Sequence, residues 1–280
     1  MSTVAPVAAT SIGHALDVVS AGNGVVQGVY AHAVNLEVRG DLWTLLAAGL
    51  SDLPFGIRTA LQDPGFAGLR IGDPVFVRSG FVGIGTGSAR IVVDCRMATR
   101  WVPAAPGELA PNLDWRLDAI ATAVSGRAWH HSAAMAHAVV SALDHEGSLD
   151  NAVARVIGRG PGLTPAGDDV LAGILAVLLS PRSGPRGASA AATLAASIRP
   201  LLLTTTAISG HLLRQAADGL LGRSVHELIS ALVDDPPPGQ LRAAVRRVVA
   251  TGATSGADVC AGILAAARPY FLPHRESVAA

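Results

Sequence analysis

Two adjacent carboxylates at the end of a glycine-rich loop are the residues of this chain best placed to do chemistry. Asp168 and Asp169 follow the run Gly158–Gly167, which holds four glycines and two prolines. Thr164 and Pro165 are typical of an N-cap and a first helical position, so a helix is predicted to begin there. The helix dipole would explain one aspartate in a first turn, at about 0.3–1 kcal/mol. Two aspartates together after such a loop favour a ligand site with Asp168 and Asp169 as the catalytic candidates.

Two kinds of ligand suit this stretch. Exposed backbone N–H groups and Arg159 in a glycine-rich loop favour an anion such as a phosphate or a carboxylate. Clustered carboxylates favour a hard cation such as Mg²⁺, and a metal-bound phosphate ester would satisfy both. The residues that we expect to bind substrate or phosphate come from this loop and from two later helix starts: Arg159, Gly160, Gly162, Thr164, Gly167, Thr205, Ser209, Ser255 and Gly256.

The opening of the predicted helix is repeated near the C-terminus. The eight residues from Asp169 and the eight from Asp258 are identical at seven positions, at an offset of 89 residues. The small residues Gly173 and Gly262 occupy equivalent places in the two segments and would allow two helix backbones to approach closely. We therefore predict that the helices pack together at these glycines with their N-termini side by side. Asp168, Asp169 and Asp258 would then converge as candidate metal ligands.

The roles of the three aspartates stay open at this point. Successive helical residues diverge by about 100°, so Asp168 and Asp169 cannot both face the same point. The repeat keeps Asp169 as Asp258 but replaces Asp168 by Ala257. One interpretation gives Asp169 and Asp258 a paired architectural role and makes Asp168 the chemical group; the opposite assignment is equally consistent with the pattern.

The elements that position these residues change character along the chain. Residues 1–108 contain short β-branched runs divided by glycine- and proline-rich turns, which predict an antiparallel, barrel-like β domain. The run Gly83–Ser88 is predicted to be a glycine hairpin, because a strand-like segment follows it where a dinucleotide fingerprint needs a helix. A short helix is possible around Ile12–Ser20. Residues 109–280 have helical periodicity and predict an all-α bundle, so the fold class is α+β.

Composition excludes several classes of function. The chain has no lysine, which excludes Schiff-base and pyridoxal-phosphate chemistry and a P-loop. Its formal net charge is +0 and no basic run is present, which argues against nucleic-acid binding. Half of the residues are hydrophobic and 15% are charged, against roughly 25% charged in typical soluble domains. Part of the surface is therefore predicted to be buried in a homo-oligomer or hetero-oligomer.

Three features bear on the compartment and on other metal chemistry. Cys95 and Cys260 lie far apart in apolar surroundings, as in proteins of a reducing cytosol. The N-terminus lacks the basic region of a signal peptide, and the longest apolar run is too short to cross a bilayer. We expect a cytoplasmic protein without a membrane segment. His130, His131 and His137 lack the i, i+4 spacing of a helical zinc motif and are predicted to face solvent.

Several motifs together identify a resemblance. GRGPGLTPAGDDVLAG at 158–173, TTTAIS at 204–209 and TSGADVCAG at 254–262 resemble the AllH family. The likeness extends to the first half through HAVNLEV at 32–38 and IVVDCRMATRWVP at 91–103. The family includes a subunit of bacterial oxamate carbamoyltransferase. Thr164, Gly167, Asp168 and Asp169 carry over as positions of its motif.

The resemblance implies an activity and partners. It implies phosphorolysis of oxalurate to oxamate and carbamoyl phosphate, or the reverse, in allantoin catabolism, within an assembly of several subunits. The Gly-rich loop and Arg159 would then hold phosphate and stabilise developing oxyanion charge. Two alternatives remain: a non-catalytic subunit that binds a small anionic metabolite, and a Mg²⁺-dependent hydrolase that uses the aspartate cluster.

Overall fold

The computed structural model describes residues 5–62, 66–87, 90–104, 107, 113–124, 127–143, 148–234 and 236–272 of the 280-residue chain. The chain divides into two compact units, residues 1–103 and 104–280. Strands form the first unit and helices the second, which confirms the predicted α+β class. The strands are β1 (Val7–Gly13), β2 (Gly22–Val29), β3 (Ala33–Val38), β4 (Asp41–Leu46), β5 (Gly56–Thr59), β6 (Pro74–Arg78), β7 (Phe81–Ile84), β8 (Ile91–Asp94) and β9 (Thr99–Trp101).

Eight of these strands close into a barrel. They follow the order β5-β4-β3-β2-β6-β7-β8-β1, and β1 pairs with β5 to complete the circle. Strand β9 continues along the edge of β1 where β8 ends. The predicted barrel is thus confirmed, but its pairing is mixed: β4–β5, β1–β8 and β1–β9 are parallel. Parallel pairing arises because these partners are not joined by hairpins.

Two tight hairpins join neighbouring strands of the barrel. Arg39 and Gly40 join β3 to β4, and Ser79 and Gly80 join β6 to β7; all four have positive φ. Such two-residue turns match the right-handed twist of the paired strands. The glycine run after β7 leads to an antiparallel partner, β8, in agreement with the predicted hairpin.

The sequence misplaces the first strand. The helix considered around Ile12–Ser20 is wrong, because Ile12 lies in β1 and pairs with Ile57 of β5 and Arg100 of β9. The side chains of Ser11 and Arg58 also both contact the buried carboxylate of Asp52 across the β1–β5 closure. Pairing on both edges with distant segments decides the conformation here.

The second unit is a helical bundle built around one apolar helix. Its helices are α1 (Leu113–Val124), α2 (Arg127–Leu143), α3 (Leu149–Val156), α4 (Ala166–Leu178), α5 (Gly184–Ile198), α6 (Ala207–Ala217), α7 (Arg223–Val233), α8 (Pro238–Val249) and α9 (Ser255–Phe271), with 3-10 turns at Pro181–Ser183 and Arg199–Thr204. Val170, Leu171, Ile174 and Leu175 of α4 are completely buried. Helix α4 packs most extensively against α9 and also contacts α2, α5 and α6. Within the described residues, no helix is long and apolar enough to cross a membrane.

Candidate functional site

Helices α4 and α9 pack backbone to backbone at the two repeated glycines. A Cβ atom on Gly173 would lie 2.1 Å from the carbonyl oxygen of Val259, and one on Gly262 would lie 2.2 Å from that of Val170. Residues 170 and 259 are equivalent in the repeat, as are 173 and 262, so the contact is symmetric. The predicted packing at small residues is confirmed, and it brings the two N-termini together.

A second glycine pair places both first turns against the preceding helices. A Cβ on Gly167 would lie 1.9 Å from the carbonyl oxygen of Val156 at the end of α3. The equivalent Gly256 has the same distance, 1.9 Å, to the carbonyl oxygen of Val248 in α8. Close packing of the protein's own backbone therefore explains why glycine is needed at both positions, which were predicted as ligand-binding residues.

The loop before α4 presents unpaired backbone donors. Gly158, Gly160 and Gly162 have positive φ, a backbone conformation that glycine adopts at little steric cost. One end is closed by hydrogen bonds from Arg159 N–H to Val156 and from Gly167 N–H to the Arg159 carbonyl. The N–H groups of residues 160, 162, 163 and 164 have no acceptor among the described residues. This loop is exposed and rich in free donors.

Asp168 is buried and holds the loop in this shape. Its Oδ1 accepts a hydrogen bond from the Gly158 N–H at 2.7 Å, and its Oδ2 accepts from the hydroxyls of Ser209, at 2.6 Å, and Thr205. The side chain is 3% exposed. Thr205 and Ser209, predicted to bind substrate, both donate to this carboxylate. Asp168 joins the loop to the start of α6.

Thr164 does not cap α4. The helix begins at Ala166 after Pro165, without a side-chain cap. The Thr164 hydroxyl instead lies 2.7 Å from the hydroxyl of Ser255 in the first turn of α9. The predicted cap is wrong because the Pro165 carbonyl accepts the N–H groups of Asp168 and Asp169, and Thr164 bridges to the neighbouring helix.

Asp169 and Asp258 lie in the first turns of α4 and α9, the two helix starts that the Thr164–Ser255 contact joins. Asp258 is 3% exposed, and its Oδ1 accepts a hydrogen bond from Ser132 of α2 at 2.5 Å. The Oδ2 atoms of both aspartates are buried without a hydrogen-bond partner. Burial raises the pKa of Asp169 to about 7; hydrogen bonding from Ser255 and Thr164 opposes the shift, and the charges of Asp258 and Asp168 increase it. The two carboxyls differ from Asp168 in having donors for only some of their oxygens.

Three helix N-termini meet around the loop. The Thr164–Ser255 contact joins the starts of α4 and α9, and the Thr206 hydroxyl donates to the Leu163 carbonyl at the start of α6. Thr206 also caps α6 by accepting the Ser209 N–H at 3.1 Å. Each helix N-terminus carries a partial positive charge. The exposed side chain of Arg159 adds a full positive charge, and its Nη atoms have no partner among the described residues. The arrangement suits a small anion.

The aspartates are not arranged as a metal centre. In the part of the chain that the structure describes, no three His, Cys, Asp or Glu side chains are placed to hold a metal ion. Asp168 directs its oxygens to Gly158 and α6, away from a set shared with Asp169 and Asp258. The predicted convergence of three metal-ligating carboxylates is therefore not found among these residues.

Two grooves of the bundle lie away from the loop. A groove of about 540 Å³ runs between α2 and α9, and one of about 790 Å³ lies between α2 and α3. His137 and His131 line them, and all three histidines predicted to face solvent are exposed. None of the predicted site residues lines either groove. The candidate site is therefore the exposed loop before α4, together with the carboxyl groups of Asp169 and Asp258, whose Oδ2 atoms are buried.

Sequence reasoning missed Ser132. This buried residue lies 126 positions before the aspartate that it contacts, next to histidines that drew attention to another face of α2. No local pattern marks it, because the hydroxyl matters only through the packing of α2 against α9.

Comparison with known families covers both units. The family model described as "Oxamate carbamoyltransferase subunit AllH" matches residues 156–267, and the one described as "AllH family N-terminal domain" matches residues 8–100. The chain belongs to the AllH family. The first AllH match begins at the end of α3 and includes the loop, α4, α6 and most of α9. No solved structure matches the chain at a significant level.

Proposed function

We propose that this AllH chain is a subunit of a carbamoyltransferase and binds the anionic reactants of that enzyme at the loop before α4. The reactants are oxamate or oxalurate together with carbamoyl phosphate or phosphate. The observation that carries the proposal is the meeting of three helix N-termini around a loop with unpaired N–H groups. Such donors and dipoles stabilise phosphates and carboxylates.

The state of Asp168 supports an anion in preference to a cation. A free carboxylate beside the loop would repel an anion, but three donors surround the Asp168 oxygens and hold them toward the protein. The family description supports carbamoyl transfer, since it names a subunit of oxamate carbamoyltransferase. A Mg²⁺-dependent hydrolase has no such support, because the described residues lack a metal-ligand group.

Ligand-induced stabilisation tests the proposed site. Phosphate, carbamoyl phosphate and oxamate should each raise the melting temperature of the chain, because a ligand that binds the native state stabilises it. Arg159→Ala should raise the Kd for phosphate about tenfold, because the variant loses roughly one favourable contact between the guanidinium and the anion. Arg155→Ala, an exposed arginine one turn earlier in the same region, is the matched control. Equal affinity in both variants would contradict the role of Arg159.

Turnover distinguishes the catalytic subunit from a subunit that only binds a metabolite. The purified chain should be assayed alone and with its partner subunits, using oxamate plus carbamoyl phosphate. Product formed with partners supports the proposal. Tight binding without product in either assay supports the non-catalytic role, which the word subunit in the family description equally allows.

A further inference from the structure

We infer that Asp169 and Asp258 hold one proton between them and that the Thr164–Ser255 hydroxyl pair passes it to a ligand in the loop. The inference rests on the proposed carbamoyl transfer and assigns roles within the same site. Asp169 and Asp258 would act through the hydroxyls and are thus positioning residues, whereas Thr164 belongs to the loop and Ser255 contacts it.

The unpartnered oxygens carry the inference. Asp258 is almost completely buried, with one oxygen bound to Ser132 and the other, Oδ2, without a partner. The Oδ2 of Asp169 is likewise buried and unpartnered. If both carboxylates were ionised, their two Oδ2 atoms would have no compensating donor, whereas a shared proton supplies one. The charges that act on Asp169 come from Asp258 on α9 and Asp168 on α4, and both are negative.

The route to the loop follows the helix starts. Thr164 and Ser255 are 2.7 Å apart and join the N-termini of α4 and α9. Hydrogen bonding from both hydroxyls acts on Asp169 and opposes the rise of its pKa, so the pair is in contact with that carboxyl. Thr164 is also the last residue of the run whose N–H groups lack acceptors. A hydroxyl can donate one proton while it accepts another, which a relay requires.

The chemistry of phosphorolysis needs such a relay and balances with it. An oxygen of hydrogenphosphate attacks the carbamoyl carbon of oxalurate, and the bond from that carbon to the bridging nitrogen breaks with its electron pair on the nitrogen. The nitrogen takes the proton of the aspartate pair and becomes the amide of oxamate. The pair then takes the proton that hydrogenphosphate carried. Carbamoyl phosphate and oxamate form, and no other co-reactant is needed.

Infrared spectroscopy of the full chain tests the shared proton without requiring activity. A protonated carboxyl has a carbonyl band separate from that of a carboxylate, and the wild-type protein should keep one such band at about pH 6, above the ordinary range of aspartate. Asp169→Asn should lose the band. Asp258→Asn should shift the titration of the Asp169 band to lower pH, because the negative charge of Asp258 is removed. Asp114→Asn, which removes an exposed ion-paired aspartate, is the control. A band unchanged in both test variants overturns the inference, as does a band that disappears on addition of MgCl₂.

Kinetics tests the relay in the enzyme assembled with its partner subunits. Ser255→Ala should lower kcat about 10²- to 10⁴-fold and flatten the pH profile, with KM for phosphate almost unchanged, as expected for loss of proton transfer. Ser189→Ala, at an exposed position of α5, should behave as wild type. Full activity with an unaltered pH profile in Ser255→Ala overturns the relay. Failure of the proposed function itself would be seen differently: the wild-type protein would bind no phosphate and form no product, while the infrared result would stand alone.

Discussion

Asp168 and Asp169 are neighbours in sequence but have different surroundings. The Asp168 carboxylate accepts hydrogen bonds from the glycine loop and from α6, whereas the pKa of Asp169 responds to Ser255 and Asp258 on α9. The divergence of successive helical residues separates them, as expected from the sequence. Of the two assignments that the repeat left open, the geometry favours Asp168 as the residue that shapes the loop. The chemical role passes to Asp169 as a proposal.

Removal of Asp168 should destabilise the bundle strongly. Asp168→Ala leaves the Gly158 N–H and the hydroxyls of Thr205 and Ser209 without their acceptor, which should lower the free energy of unfolding by about 3–5 kcal/mol. Asp218→Ala removes an exposed ion pair with Arg199 and should cost at most about 1 kcal/mol. Urea unfolding measures both. Similar losses in the two variants would show that Asp168 does not hold the loop.

Asp169 should make the stability of the protein depend on pH. Its pKa is raised from 3.8 to about 7 in the folded chain, so the folded state retains a proton that the unfolded state has lost. The contribution of Asp169 to the free energy of unfolding is therefore fully present below about pH 4 and is lost as the pH rises from about 4 to 7. The loss is at most about 1.4 kcal/mol per pH unit. Asp169→Asn should flatten this part of the curve measured by denaturant unfolding, and Asp114→Asn should not. An identical slope in Asp169→Asn would contradict the raised pKa.

At the scale of elements, the contact between α4 and α9 depends on having no side chain at two positions. Gly173→Ala or Gly262→Ala would place a methyl group 2.1 or 2.2 Å from a carbonyl oxygen of the other helix. Each change should lower the free energy of unfolding by about 3 kcal/mol or more, beyond the gain of about 1 kcal/mol in helix propensity.

Gly239→Ala is the matched control for this prediction. Gly239 lies in the first turn of α8, and no atom lies within 4 Å of the position that its new methyl group would occupy, so the replacement should be neutral or slightly stabilising. Thermal unfolding of the three variants gives the comparison. Equal melting temperatures would mean that the helices can separate at the crossing without loss.

The elements differ in how far the sequence predicts them, and the reason is physical. The packing of α4 and α9 could be predicted because identical small residues recur at a fixed offset. The turn at Gly40 could be predicted because its conformation is local. Strand β1 could not, since its partners β5, β8 and β9 are far along the chain.

Within the site the same limit applies. The sequence indicates the loop, the acidic pair and the later helix starts as one site. It does not indicate that Thr164 contacts Ser255, 91 residues away, or that Thr205 and Ser209 bind a carboxylate. Hydroxyl groups satisfy whichever partner the packing brings to them, so their roles are decided by the tertiary structure.

At the scale of the whole molecule, the charge-poor composition still predicts burial against another chain. Leu203, in the 3-10 turn before α6, is 98% exposed, and Leu163 in the candidate loop is 51% exposed. The hydrogen bond from Thr206 to the Leu163 carbonyl joins these two segments. Exposed apolar side chains grouped in this way are typical of a surface that a partner covers.

Leu203→Glu should therefore weaken assembly with the partner subunits without unfolding the chain. Light scattering after size-exclusion chromatography should give a smaller complex, while the melting temperature of the isolated chain stays within a few degrees of wild type. Ile71→Glu, an equally apolar exposed position in the barrel unit, is the control. Loss of assembly in the Ile71 variant alone would place the partner surface on the barrel unit.

The hydrogen bonds of Asp168 have a consequence for the thermodynamics of ligand binding. A loop with three glycines in left-handed conformations would ordinarily lose much conformational entropy when a ligand orders it. Here the carboxylate and the start of α6 already restrain the loop, so most of that entropy is lost when the chain folds. A small anion then meets donors that are fixed in advance, and its affinity reflects the contacts themselves.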